Sequence, residues 1–133
     1  MLVVDSSVWI DFFADAENSA VDALGSFLDE GDVRIVVPDL VLFEVLRGFR
    51  HERDLRQAQQ LMHSFHIETA GGPDLALAAV SHYRALRALG FTVRSPIDVL
   101  LASFCMANDY TLLHRDRDFD ALESLRGLKV WKH

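Results

Sequence analysis

The chain has one cysteine, Cys105, and only two lysines, Lys129 and Lys132, among its 133 residues. A lone cysteine excludes an intramolecular disulfide and a multi-cysteine zinc site, and it fits a reducing compartment. Basic charge is in deficit: 13 Lys and Arg stand against 20 Asp and Glu, for a formal net charge of −7. That balance argues against a bare nucleic-acid binder, which carries a basic surplus. A chain this acidic handles a polyanion only through local basic patches, a metal ion or a basic partner. No apolar run approaches the roughly 20 residues of a membrane span. The N-terminus lacks a basic leader, and Asp5 and Asp11 interrupt its apolar stretch. The expectation is a soluble, cytoplasmic protein with no membrane segment. Also missing are a Gly-rich phosphate loop, a Gly-x-Ser-x-Gly nucleophile turn, internal repeats and low-complexity stretches.

What is present is core-forming material. Half the residues are apolar and a quarter are charged, enough to bury a core within one domain spanning residues 1–133. Leu2 to Val4 reads as a short buried strand. Ser6 and Ser7 are good N-caps for a helix carrying Val8, Trp9, Phe12 and Phe13. Asn18 caps a second helix that Gly31 ends. Val33 to Val37 reads as a strand, broken by Pro38 and Asp39, which start a helix to about Phe49. Glu52 to Phe65 is helical, and His66 to Thr69 is a short strand before the Gly71-Gly72-Pro73 turn. Asp74 caps a helix to about Leu89, and Ser95-Pro96 introduces another from Ile97 to about Ala107. Tyr110 to Leu113 is a strand, Phe119 to Leu125 a short helix and Leu128 to Trp131 a last strand. Strands alternating with helices predict a three-layer α/β/α domain around a mostly parallel sheet.

Four acids interrupt this apolar pattern. Asp5 ends the first strand, Glu44 sits inside Leu40–Leu46, Asp98 opens Val99–Ala102, and Asp116 follows Thr111–Leu113. A lone charge among core residues is costly unless compensated. Carboxylates brought together repel one another, and a divalent cation relieves that repulsion. Asp5 and Asp116 fall at carboxyl ends of predicted strands, where parallel sheets hold ligands. Each acid also has a plainer reading. Asp5 and Asp98 suit helix N-termini, and Glu44 can pair with Arg47 one turn on. In the run Asp116, Asp118, Asp120, the first is closest to the strand end, while Asp118 reads as the helix cap and a reserve candidate.

The six histidines show no zinc spacing, and His63 and His66 read as a surface pair. His114 either touches substrate or lies on the surface at a strand end. Cys105 lies on an apolar helix and packs in the core. Most arginines read as solvated helix faces, but Arg115 and Arg117, beside the acids, are best placed to meet phosphates.

Asp5-Ser6-Ser7, Glu44 in an apolar helix, Asp98 with Ala102 one turn on, and Arg115-Asp116-Arg117-Asp118-Phe119 occur in a definite order. Together they resemble the PIN-domain ribonucleases and, within them, the VapC toxins of bacterial and archaeal toxin–antitoxin pairs. The resemblance covers essentially the whole chain. It implies a PIN-like fold and an endoribonuclease that uses Mg²⁺, or Mn²⁺ in its place, and cuts tRNA or rRNA. Asp5 and Asp98 are then the main metal ligands, and Glu44 and Asp116 the other acids of the catalytic cluster. The resemblance also implies a homodimer and an inhibitory VapB-type antitoxin. Many members carry Thr or Ser two residues before the fourth acid; here that position is His114.

Two other classes compete. One is a phosphatase with a strand-end Asp; the haloacid-dehalogenase type needs a second Asp at the position of Ser7. A receiver-like phosphoacceptor needs paired acids after the first strand and a late Lys, and the pair is absent. The other class is a non-catalytic metal- or RNA-binding module in which the acids serve as caps.

Overall fold

A computed structural model describes all of residues 1–133. Four short strands form the sheet: β1 (Leu2–Val4), β2 (Ile35–Pro38), β3 (His66–Glu68) and β4 (Thr111–Leu113). They lie in the order β3-β2-β1-β4, all parallel. β1 and β2 are buried along their whole length, which is why they read as unbroken apolar runs rather than alternating ones. The helices are α1 (Ser6–Phe13), α2 (Ser19–Glu30), α3 (Asp39–Leu46), α4 (Glu52–His63), α5 (Pro73–Ala88), α6 (Pro96–Asn108) and α7 (Asp120–Arg126). α1 packs against α2 and α3, and α5 against α6 and α7, giving helical layers around the sheet.

The strand order positions the site. From β1 the chain moves outward through β2 to β3, then crosses back to place β4 on the other side of β1. The reversal falls between β1 and β4, and a crevice at such a switch point is where parallel sheets hold ligands. The Asp5 N–H donates to the Leu113 carbonyl at 2.9 Å, extending the Val4–Leu113 register by one step. The residues that leave β1 and β4 are therefore locked side by side.

Several boundaries differ from the sequence expectation, each for a local reason. The cap of α1 is Asp5, whose carboxylate accepts the Ser7 N–H; Ser6 and Ser7 are already helical. Pro38 stays in β2 opposite Glu68, at a strand end where its missing N–H costs little. α3 stops at Leu46, just before Gly48, and α4 at His63, where the Ser64 hydroxyl donates to the Leu61 carbonyl. α5 is capped by Gly72, at φ 94°, with Pro73 in its first turn, so Asp74 lies inside the helix. Before α7, residues Arg117–Phe119 form a 3₁₀ turn capped by Asp116, not by Asp118. The last strand shrinks to one bridge between Leu112 and Val130. Beside it, Lys129 turns aside to pair with Asp109, and His133 reaches the His114 carbonyl.

Candidate metal centre

Asp5 is the most buried acid of the chain, at 4% exposure. The end of β1 puts it there, and the first turn of α1 holds it: the Ser7 N–H and the Ser7 hydroxyl both donate to Oδ2. Burial pushes its pKa up, and the two Ser7 hydrogen bonds pull it partly back. Its cap geometry and its place in the crevice are thus one arrangement.

Asp98 lies in the first turn of α6, behind the N-cap Ser95. Its pKa is pushed up to about 7 by burial first, then by Asp5, Asp116, Glu44 and Asp118 in that order. Four other carboxylates act on this one side chain. They descend from β1, α3 and the turn after β4, so the fold gathers the dispersed acids into one field. Carboxylate oxygens of Asp98, Asp116 and Asp118 lie within 4.8 Å of one another.

Asp116 caps the 3₁₀ turn by accepting the Asp118 N–H at 3.0 Å on Oδ1. Asp118, read from the sequence as the cap, instead carries its carboxylate into the acid cluster and has Arg94 at 4.0 Å. Glu44 is partly buried on α3, and burial followed by Asp5 raises its pKa, against the pull of the Ser6 hydroxyl and Arg47. No salt bridge joins Glu44 to Arg47, whose guanidinium stands 5.6 Å above the Phe43 ring.

His114 is neither a surface residue nor open to substrate: it is 7% exposed and tilted against Phe119 at 4.7 Å. Its Nδ1 accepts the Asp116 N–H at 3.1 Å. That bond requires an unprotonated Nδ1, and burial lowers the pKa of the ring, which keeps it neutral. Cys105 is fully buried, and burial pushes its thiol up to about 12. With Nδ1 accepting, the ring proton sits on Nε2, which is buried without a hydrogen-bond partner, so neither His114 nor the protonated Cys105 thiol presents a lone pair to the site. The donor set is therefore all carboxylate oxygen, which suits hard cations such as Mg²⁺ and Mn²⁺ and disfavours zinc or copper. Only Arg94, 4.0 Å from Asp118, offsets acids this close, so the residues fit a divalent ion.

Of the acids singled out in the sequence, Asp98 and Asp116 lie beside Asp118, and Asp5 and Glu44 act on Asp98 electrostatically. The sequence does not place Asp11 and Arg94, which line the cleft beside the cluster, or the bond from Asn18 to Asp11. Asn18 is legible as a helix cap, but Asp11 and Arg94 carry no local signal, and only the tertiary structure sets them beside the acids.

A four-stranded parallel sheet between helical layers, with acids gathered where the strand order reverses, defines the PIN-like class of α/β/α folds. The chain belongs to the PIN domain family, whose model matches residues 2–125. It is similar to the VapC ribonuclease Mb1587 of Mycobacterium bovis, 27% identical over 130 residues, covering 98% of this chain and 97% of that one. The ribonuclease VapC11 of Mycobacterium tuberculosis matches with the same identity and coverage. Among solved structures, VapBC2 of Rickettsia felis, bound to a promoter DNA fragment, superposes with a TM-score of 0.75 at 14% identity, covering 98% of both chains. FitAcB of Neisseria gonorrhoeae gives 0.74 at 15% identity, covering 99% of this chain and 97% of that one. At these identities the structural likeness establishes the fold.

Proposed function

We propose that this protein is the toxin of a VapBC-type toxin–antitoxin pair, a divalent-metal-dependent endoribonuclease that hydrolyses phosphodiester bonds in tRNA or rRNA. The observation that carries the reading is the convergence of Asp98, Asp116 and Asp118 within 4.8 Å, in the electrostatic reach of Asp5 and Glu44. The similarity to VapC ribonucleases over nearly the full chain supports it.

Asp5, Asp98, Asp116 and Glu44, with Asp118 beside them, are the residues that would hold Mg²⁺, with Mn²⁺ as a substitute. When bound, such an ion supplies positive charge at the scissile phosphate and makes a bound water a better nucleophile near neutral pH. The protein's own part is positioning. Ser7 pins the Asp5 carboxylate, the 3₁₀ turn pins Asp116, and α6 presents Asp98 from its first turn. Glu44, with its raised proton affinity, is suited to accept a proton as hydrolysis proceeds. The partners in this reading are RNA, a cognate VapB-type antitoxin and a second copy of the chain. The exposed apolar residues Leu77, Val80 and Tyr83 on α5 supply surface for such assembly.

Expression without an antitoxin tests the reading. Growth should stop, total RNA should show discrete new ends, and Asp98→Ala should abolish both effects. Purified protein should gain thermal stability from Mg²⁺ or Mn²⁺, and Asp5→Asn/Asp98→Asn should remove that gain. Equal stabilisation of both proteins, with no RNA cleaved, would mean a non-catalytic module.

A further inference from the structure

Beside the acid cluster lies an open cleft of about 730 Å³, within the size range of ligand-binding clefts. Three arginines line it, Arg94, Arg115 and Arg117, against two carboxylates, Asp11 and Asp116. The concentration stands out in a chain with a net charge of −7. The guanidiniums come from separate places: Arg94 from the loop before α6, Arg115 from the turn after β4, Arg117 from the 3₁₀ turn. Their assembly is a tertiary feature.

The three differ in how they are held. Arg115 is paired with Asp11, and Asp11 Oδ2 also accepts the Asn18 side-chain amide at 3.3 Å. Asn18 is itself fixed as the cap of α2. A relay from α2 through Asp11 thus sets Arg115 in place on the cleft wall, with its side chain still 48% exposed. Arg117 makes no ion pair, and Arg94, 81% exposed at its side chain, only approaches Asp118 at 4.0 Å. Of the two carboxylates that oppose an anion here, Asp116 belongs to the metal cluster and Asp11 is occupied by Arg115.

Resting on the ribonuclease reading, we infer that Arg94, Arg115 and Arg117 form a phosphate-binding track that carries the RNA backbone on one side of the cleaved bond. An anion in this cleft lies next to Asp116, so its neighbour along the strand reaches the acids. The track contacts phosphates and so binds without reading sequence. It gives a chain with a net negative charge a way to hold a polyanion before any metal engages the scissile group.

The test is binding of a short, labelled single-stranded RNA in EDTA, followed by fluorescence anisotropy between about 50 and about 200 mM salt. Each ionic contact to a single strand contributes roughly 0.7 to the slope of log affinity on log salt. Arg94→Gln/Arg115→Gln/Arg117→Gln should lower that slope by roughly 2 and weaken binding at least about tenfold at the lower salt. Arg94→Gln alone, at a well-exposed position, should lower it by roughly 0.7 without affecting the melt. Arg56→Gln on α4, away from the cleft, serves as the control and should leave the slope as in wild type. A wild type that cleaves RNA while the triple variant keeps its slope overturns the inference alone. A wild type that neither binds nor cleaves RNA overturns it together with the reading beneath it.

Discussion

His114 Nδ1 accepts the backbone N–H of Asp116 at 3.1 Å, so a buried neutral imidazole anchors the turn that presents the fourth acid. A side chain two residues from an acid of the metal cluster thereby acts through the backbone rather than on substrate. The ring packs against Phe119, and its Nε2 is buried without a hydrogen-bond partner. His114→Leu preserves apolar volume but leaves the Asp116 N–H without its acceptor, at a cost of about 1–3 kcal/mol. His114→Asn retains an acceptor near the Nδ1 position and loses ring packing. We expect Asn to be destabilised in urea melts yet to keep more of the RNA-cleaving activity than Leu. If Leu retained as much activity as Asn, the hydrogen bond would have no positioning role.

The raised pKa of Asp98 makes a pH prediction with a definite sign. Its folded pKa, about 7, lies above its ordinary value of 3.8, so the native protein binds a proton that the unfolded chain releases. The associated stability is fully present below the ordinary value and is lost as pH rises through about 7. Asp5 and Glu44 are shifted in the same direction. His114 opposes them in part, because a neutral buried imidazole destabilises the fold as pH falls below its ordinary 6.5. Metal-free protein should melt at a higher temperature near about pH 5.5 than near about pH 8, the three acids outweighing one histidine. Asp98→Asn should flatten the difference, and Mg²⁺ should raise the melting temperature mainly at the higher pH. A melting temperature that falls on acidification over this range would contradict the electrostatic picture of the site.

How far the sequence disclosed this site depends on the range of the interactions. Asp5 was legible because three consecutive apolar residues and a following helix bracket it, all local. The caps Asn18 and Gly31 were legible for the same reason. The choice between Asp116 and Asp118 was not, because two acids spaced two residues apart in a turn have nearly identical sequence surroundings. Their roles follow from a 3₁₀ turn whose geometry depends on His114 below it and Phe119 in the core. The last strand was over-read because Leu128 to Trp131 has strand-like composition, while the pairing available to it at the sheet edge is one bridge. Arg94 and Asp11 were silent in sequence for a different reason: what matters about them is which loop folds over which helix.

Asp5 offers a clean separation of cap from ligand. Asn is about as good an N-cap as Asp, so Asp5→Asn keeps the bond from the Ser7 N–H. It also removes a charge that burial disfavours, so the metal-free variant should melt at or above the wild-type temperature. Cleavage should nevertheless fall by about 10²-fold or more, the scale seen when one electrostatic group is removed from an active site. Asp5→Ala should lose both properties, with about 1 kcal/mol from the missing cap. Full activity in Asp5→Asn would show that the residue is a cap and nothing else.

The same logic ranks Asp116 against Asp118. Asn at position 116 can still accept the Asp118 N–H, so the 3₁₀ turn should survive Asp116→Asn. What disappears is a carboxylate that stands in both the acid cluster and the arginine cleft. Asp118 also reaches the cluster, but Arg94 already stands near it and shares its charge. Asp116→Asn should therefore cost more cleavage than Asp118→Asn, while both proteins melt like the wild type. Titrating Mn²⁺ against each variant gives the second readout: weaker apparent metal affinity in both, and weaker in Asp116→Asn. Equal losses of activity and of metal affinity would make the two acids equivalent ligands, and the strand-end position of Asp116 would carry no special weight.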